Sequence, residues 1–99
     1  MKILILPSAR DDLVSGYTFY ESQAEGLGSQ FQETLISDID ALKAFSGVHP
    51  KFFGLYRSLS KRFPYAIYYS LEANTVWVRA VLDCRRDPEW TRRRVTGFM

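Results

Sequence analysis

Apolar and polar positions change their period once along this chain, and that change divides it. Residues 2–6 (KILIL) form a short β-branched and leucine run that Pro7 stops, which predicts an opening strand. Ser8, three residues before Asp11, reads as a loose capping box at a helix start. Ala9, Leu13, Tyr17, Tyr20 and Ala24 then recur at spacings of three and four, the apolar face of an amphipathic helix. Gly26 and Gly28 break it. A second helix is expected from Ser29, with Gln32 in the reciprocal capping position and a stripe of Phe31, Leu35, Ile39 and Leu42. Gly47 and Pro50 close that region, so two helices meet at a glycine corner.

Beyond Pro50 the period becomes two. Residues 52–59 read as a strand, followed by a tight Ser60-Lys61 turn. Phe63, Tyr65, Ile67, Tyr69 and Leu71 alternate with Pro64, Ala66, Tyr68 and Ser70 in the next strand. After a Glu72-Ala73-Asn74 turn, Val76, Val78, Ala80 and Leu82 take one side, and Trp77, Arg79, Val81 and Asp83 the other. Asp87-Pro88 is a helix-start signal for a tail containing Trp90 and three consecutive arginines, expected as a short helix or a basic extension. The predicted class is α+β: one two-layer domain over residues 1–99. An N-terminal strand and a helical hairpin precede an antiparallel three-stranded meander, and the helices cover its apolar face.

Composition narrows the function classes. At 99 residues the chain has no room for a separate cofactor domain, while 46% hydrophobic and 15% aromatic residues suffice for a packed core. One cysteine, Cys84, excludes an internal disulfide framework, and one histidine, His49, leaves little for a metal site or a catalytic triad. No apolar run approaches the roughly 20 residues of a spanning helix. The start, MKILILPSAR, carries less than the roughly 7–15-residue apolar region of a signal peptide. A cytoplasmic protein with no cofactor, no metal and no membrane partner is expected. Gly26-Leu27-Gly28 lacks the rest of any nucleotide fingerprint. Asp11, Asp12 and Glu21 read as a solvated helix face, His49 as a surface residue, and Cys84 as a small buried hydrophobe.

Charge is what remains. Residues 1–50 carry −4 and residues 51–99 carry +6, with eight of the latter's ten cations arginine. Arginine suits bidentate contact with phosphate or carboxylate, so a polyanion or an acidic protein is the partner class indicated. Candidate binding residues are Arg57, Lys61, Arg62, Arg79, Arg85, Arg86, Trp90 and Arg92, with Tyr56, Tyr68 and Trp77 interleaved among them. Arg57 and Arg79 also admit a structural reading, as partners of helix carboxylates.

The segments ILPSARDDL, YTFYESQ, FQETLISDIDAL and LYRSLSKRFPYAIYYSLEANTVWVRAVLDCRRDPEW, in this order, resemble the RelE/ParE superfamily of toxins from type II toxin–antitoxin systems. The element of an arginine, FPY and a following YY pair lies closer to the ParE-like side. The resemblance implies an N-terminal strand joined to the meander and a cognate antitoxin whose acidic segment folds over the toxin in a hetero-oligomer. It implies one of two targets. ParE-like members bind and inhibit DNA gyrase without a catalytic site, and this is the reading that the resemblance to that subgroup favours. RelE-like members cut mRNA on the ribosome, in which case Arg57, Lys61, Arg86 and Arg92 would stabilise the scissile phosphate. Leu59 and Ala66 stand where that subgroup has basic residues, and its C-terminal tyrosine has no clear match here. A degenerate, inactive toxin is the third alternative.

Overall fold

A computed structural model describes residues 1–97. Its elements are β1 (Lys2–Ile5), α1 (Pro7–Gln23), α2 (Leu27–Asp40), a single turn α3 (Leu42–Phe45), β2 (Lys51–Phe52), β3 (Leu55–Leu59), β4 (Tyr65–Glu72), β5 (Thr75–Asp83) and α4 (Pro88–Thr96). The five strands form one sheet in the order β1-β5-β4-β3-β2. All neighbours are antiparallel except β1, which runs parallel to β5 with Ile3 opposite Val76. That pairing joins the N-terminal strand to the meander as expected, and the mixed α+β class holds.

On one face, α1 and α2 bury the main core. Phe31, Leu35 and Ile39 of α2 and Leu13 and Tyr20 of α1 meet Tyr65, Ile67 and Tyr69 of β4 and Val76 and Val78 of β5. Helix spacing and strand alternation place these residues together. Gly16 permits a close approach: a Cβ there would collide with the Phe31 ring.

The helix boundaries depart from the sequence reading. At the first helix, Pro7 occupies the start, Leu6 is the cap residue without a side-chain cap bond, and the Ser8 hydroxyl donates to the Arg79 carbonyl instead (3.0 Å). The second helix begins at Leu27, not Ser29. Gly26 alone makes the corner, at φ 85°, so Gly28 and Gln32 lie inside the helix. Glu21 fixes this corner by accepting the Gly26 and Gly28 N–H groups at 3.0 and 2.9 Å. It is therefore a structural acceptor and not a solvated charge.

Two strand expectations also change. The run 52–59 folds as β2 and β3 around a two-residue Phe53-Gly54 turn, with both residues at positive φ (54° and 86°). Residues 60–64 are a longer connection than a tight turn. In β5 the facing pattern reverses midway. The register steps from Tyr68 opposite Ala80 to Tyr69 opposite Val78, leaving Arg79 as an extra residue. Val76 and Val78 thus face the helices together with Val81, while Ala80 and Leu82 turn to the other face. An unbroken period of two assigned Val81 to the wrong side, because a bulge shifts every side chain beyond it by one step.

The tail is a helix. The Asp87 carboxylate accepts the Glu89 N–H (3.1 Å) and Pro88 opens the first turn. Helix α4 lies across the second face of the sheet, where Val95 and Trp90 pack with Leu55, Ala66, Tyr68, Ala80 and Leu82.

Candidate functional site

The second sheet face is only partly covered by α4, and the uncovered part forms a groove of about 300 Å³. Its walls come from the β2–β3 turn (Phe52, Phe53), the strands (Arg57, Tyr68) and the chain leaving β5 (Cys84, Arg86), with Thr91 of α4 opposite. Arg57 stands directly across the ladder from Tyr68, so both side chains emerge on this face. The Arg57 guanidinium lies over the Phe52 ring, 4.3 Å from its centroid, and Arg86 lies over Trp90 at 4.2 Å. Among the described residues neither arginine has a carboxylate partner. Arg57 is thus no clamp for a helix carboxylate. Phe52 and Phe53 remain 37% and 42% exposed, enough to offer ring faces to a ligand. Phe53 holds its place from the left-handed region, an uncommon conformation for a bulky residue.

Burial raises the pKa of the Tyr68 hydroxyl, against the pull of the neighbouring Arg57 charge. Burial also raises that of the Cys84 thiol, again opposed by Arg57. Cys84 is exposed as a residue, contrary to its reading as a buried hydrophobe. Both groups are therefore protonated at neutral pH, and the one carboxylate of the lining, Asp83, is ionised and engaged by Arg85.

The other candidate residues are scattered. Arg85 turns toward the helix layer, where its Nε and Nη2 donate to the two oxygens of Asp83 at 3.0 and 2.9 Å. Arg79 donates to the Ser70 hydroxyl (3.2 Å) and approaches Glu72 at 3.8 Å. Arg92 is held by Glu89 one turn back on α4. Lys61 lines a separate cavity, with Phe45, Val48 and Leu59, and Arg62 follows it on the exposed connection. Among the aromatics, Tyr56 is on the helix side, stacked on Tyr69 with centroids 5.1 Å apart, so it does not interleave with the arginines. Of the four residues named for phosphate stabilisation, Arg57 and Arg86 share the groove; Lys61 and Arg92 lie outside it.

Sequence reasoning missed three features. Phe52 and Phe53 read as strand interior but sit at a turn tip. Asp12, read as solvated, accepts two bonds from Arg94 Nη2, at 2.9 Å to each oxygen, and the Val81 N–H at 3.0 Å. It thereby ties α1, β5 and α4 together. His49 Nδ1 pairs with the Tyr69 hydroxyl (2.5 Å), which also accepts the Gly47 N–H. The doublet Asp11-Asp12 followed far downstream by three arginines held a weak hint of the second; no local pattern announces the third.

No group of three or more His, Cys, Asp or Glu side chains fit to hold a metal is found among the described residues, and no helix among them is long and apolar enough to cross a membrane. No family model matches the chain, and no curated protein matches it. Among the solved structures that are similar is one of the chromosomal ParDE TA system from P. aeruginosa, at a TM-score of 0.71 and 13% sequence identity. The match covers 82% of this chain and 92% of that one. The likeness is one of fold.

Proposed function

We propose that this chain is the toxin of a type II toxin–antitoxin pair: one domain over residues 1–99, working in the cytoplasm, that binds and inhibits DNA gyrase and is neutralised by a cognate antitoxin. The fold shared with a ParDE structure supports the toxin class. The observation that carries the binding mode is the groove on the second sheet face. There Arg57 and Arg86 are left without carboxylate partners beside the exposed rings of Phe52 and Phe53. Unpaired guanidinium groups keep their capacity for bidentate contact with an anionic surface, and exposed rings add apolar area at its centre. Tyr68 and Cys84 are protonated, and the ionised Asp83 carboxylate of the lining is engaged by Arg85, so the groove holds no free base, which favours binding over catalysis. Purified gyrase assayed for supercoiling with and without the protein tests this. Inhibition at micromolar protein is expected, and an Arg57→Glu/Arg86→Glu variant should lose it. Full supercoiling at that concentration removes gyrase as the target.

A second reading, a ribosome-dependent mRNA endonuclease, draws on one observation: Arg57 and Arg86 line the same groove, so that two cations could act on one phosphate. Expression without the antitoxin separates the two. Filamentation with a DNA-damage response supports gyrase; arrest of translation with cleaved transcripts supports RNA cleavage. Normal growth at a verified soluble level removes both.

A further inference from the structure

A second cavity, of about 330 Å³, opens between α1 and α4 over the last residues of β5. Ser15 and Phe19 of α1 form one wall, and Arg86 with Trp90 and Arg94 of α4 the other; Tyr65 of β4 borders it. Tyr65 is the residue there that the fold does not explain. It is only 8% exposed, yet its hydroxyl has no hydrogen-bond partner among the described residues. Buried phenols ordinarily find one. Nor is the oxygen sealed in the core: among the described residues Trp77 Nε1 is the sealed side-chain atom that lacks a partner. The hydroxyl therefore opens into the cavity that its ring borders. Burial first, and the Asp83 charge after it, push its pKa up to about 12, so it enters the cavity as an O–H donor.

Charge in the cavity does not cancel. Its two carboxylates are both matched, Asp12 by Arg94 and Asp83 by Arg85. Arg86 has no carboxylate partner among the described residues and is held over the Trp90 ring, 4.2 Å from its centroid. Arg94 gives only Nη2 to Asp12, which leaves the rest of its donor fork unspent. One positive charge is thus in surplus, with donors from Arg86, Arg94 and Tyr65 around it. On the α1 side the Phe19 ring is 45% exposed.

We infer that the cleft between α1 and α4 binds a small aromatic carboxylate. Its two oxygens accept from Arg86 and the Tyr65 hydroxyl, and its ring lies against Phe19. A guanidinium fork matches the two oxygens of a carboxylate. Size selects a small molecule: ligand pockets span about 300–1,000 Å³, and a cavity at the lower end admits a single ring and not a folded segment. Charge selects a carboxylate over a phosphate ester, which carries about −1.5 to −2 at neutral pH. That is more than one surplus cation offsets beside Asp12 and Asp83. The cleft is separate from the groove on the second sheet face: Phe52, Phe53 and Arg57 line only the groove, and Arg86 lines both. The inference goes beyond the toxin reading and does not rest on it.

The probe is sodium benzoate, titrated at constant ionic strength into the isotope-labelled full chain and followed by NMR. Benzamide, of the same shape without the charge, and phenyl phosphate serve as comparisons. Expected are saturable shifts at the Trp90 indole N–H, at Ser15 and at the Tyr65 ring in the millimolar range, with benzamide moving none of them and phenyl phosphate binding more weakly than benzoate. Arg86→Gln should weaken benzoate at least tenfold. Tyr65→Phe removes a hydroxyl that bonds nothing in the free protein, so it should weaken benzoate several-fold with an unchanged circular dichroism spectrum; if it unfolds, Arg86→Gln decides. No shifts at tens of millimolar benzoate, shifts confined to the groove around Phe52 and Arg57, or equal binding of benzamide overturn the inference. So do phenyl phosphate binding as tightly as benzoate and undiminished binding by Arg86→Gln. The supercoiling assay contains no benzoate, so a failure in one experiment leaves the other's result standing.

Discussion

The two faces of the sheet are built from similar residue types and closed by different means. Toward α1 and α2, aromatic rings interlock: Phe31 lies between Tyr20, Phe63 and Tyr65, with centroids 5.1, 5.2 and 4.8 Å away. Every ring there has an apolar neighbour, and the arginine at its margin, Arg85, is neutralised by Asp83. Toward α4, the aromatics instead lie under arginines. Phe52 carries Arg57 and Trp90 carries Arg86 and, at 5.6 Å, Arg94. Stacking on a ring holds a guanidinium in place while leaving its N–H groups free. One face is therefore closed by apolar packing, while the other leaves Arg57 and Arg86 without carboxylate partners, and substitutions on the two should separate stability from the proposed binding.

The largest effect is expected on the helix side. Phe31→Ala removes a ring with no solvent exposure and should cost about 3–5 kcal/mol in urea unfolding, since the rigid surroundings cannot fill the space. Gly16→Ala acts on the same contact from the opposite direction, because the new methyl group meets Phe31. A cost of about 1–3 kcal/mol is expected. Combining it with Phe31→Leu should cost less than the two single changes together, since the smaller side chain makes room. Strict additivity would show that Gly16 and Phe31 do not compete for one space.

Between the faces stands Asp12, which joins α1 to β5 and α4. Asp12→Ala strands the Val81 N–H and a half-buried Arg94, a loss of about 1–3 kcal/mol. Trp90 fluorescence should report α4 loosening ahead of global unfolding. Burial is the main influence on the Asp12 carboxyl and raises its pKa above 3.8, against the pull of Val81 and Arg94. The folded chain thus binds this proton more tightly than the unfolded one, and the contribution grows as pH falls through the raised pKa. Wild type should gain on Asp12→Asn between pH 7 and pH 4. Asp83 runs the other way. The Arg85 hydrogen bond holds its pKa below 3.8, so its contribution is present above the ordinary value and lost as pH falls through the lowered one. Because Arg85 is mostly exposed, Asp83→Asn should cost under about 1 kcal/mol at pH 7. That difference should vanish in acid.

The helix face of this molecule was largely legible in sequence, and the contact face was not. Periods of three to four in α1 and α2 and of two in β4 are signals repeated over many residues, so Phe31, Leu35, Ile67 and Tyr69 announce their common side. The groove depends on single events. A bulge at Arg79 moves Val81 and Leu82 across the sheet, a two-residue turn exposes Phe52 and Phe53, and a terminal helix covers part of a face that the meander pattern left open. Arginines compounded the difficulty. Nothing in their spacing distinguishes Arg85 and Arg94, consumed by Asp83 and Asp12, from Arg57 and Arg86. Carboxylate partners in sequence are a poor guide as well, since Asp12 and Arg94 are 82 residues apart.

The smallest effect on stability is expected where the effect on function should be greatest. Arg57→Ala and Arg86→Ala each remove a guanidinium that no carboxylate holds, so unfolding free energy should change by about 0.5 kcal/mol or less. Some loss is expected all the same, because each side chain also covers a ring. Lysine at the same positions refines the comparison. It restores the charge but not the planar stacking and the fork of donors, so target inhibition should return only in part and become more sensitive to salt. Full recovery by lysine would mean that charge alone matters and that Phe52 and Trp90 merely support the arginines. A destabilisation above about 2 kcal/mol from either alanine would place that arginine in the framework, and the division of labour between the two faces would have to be redrawn around it.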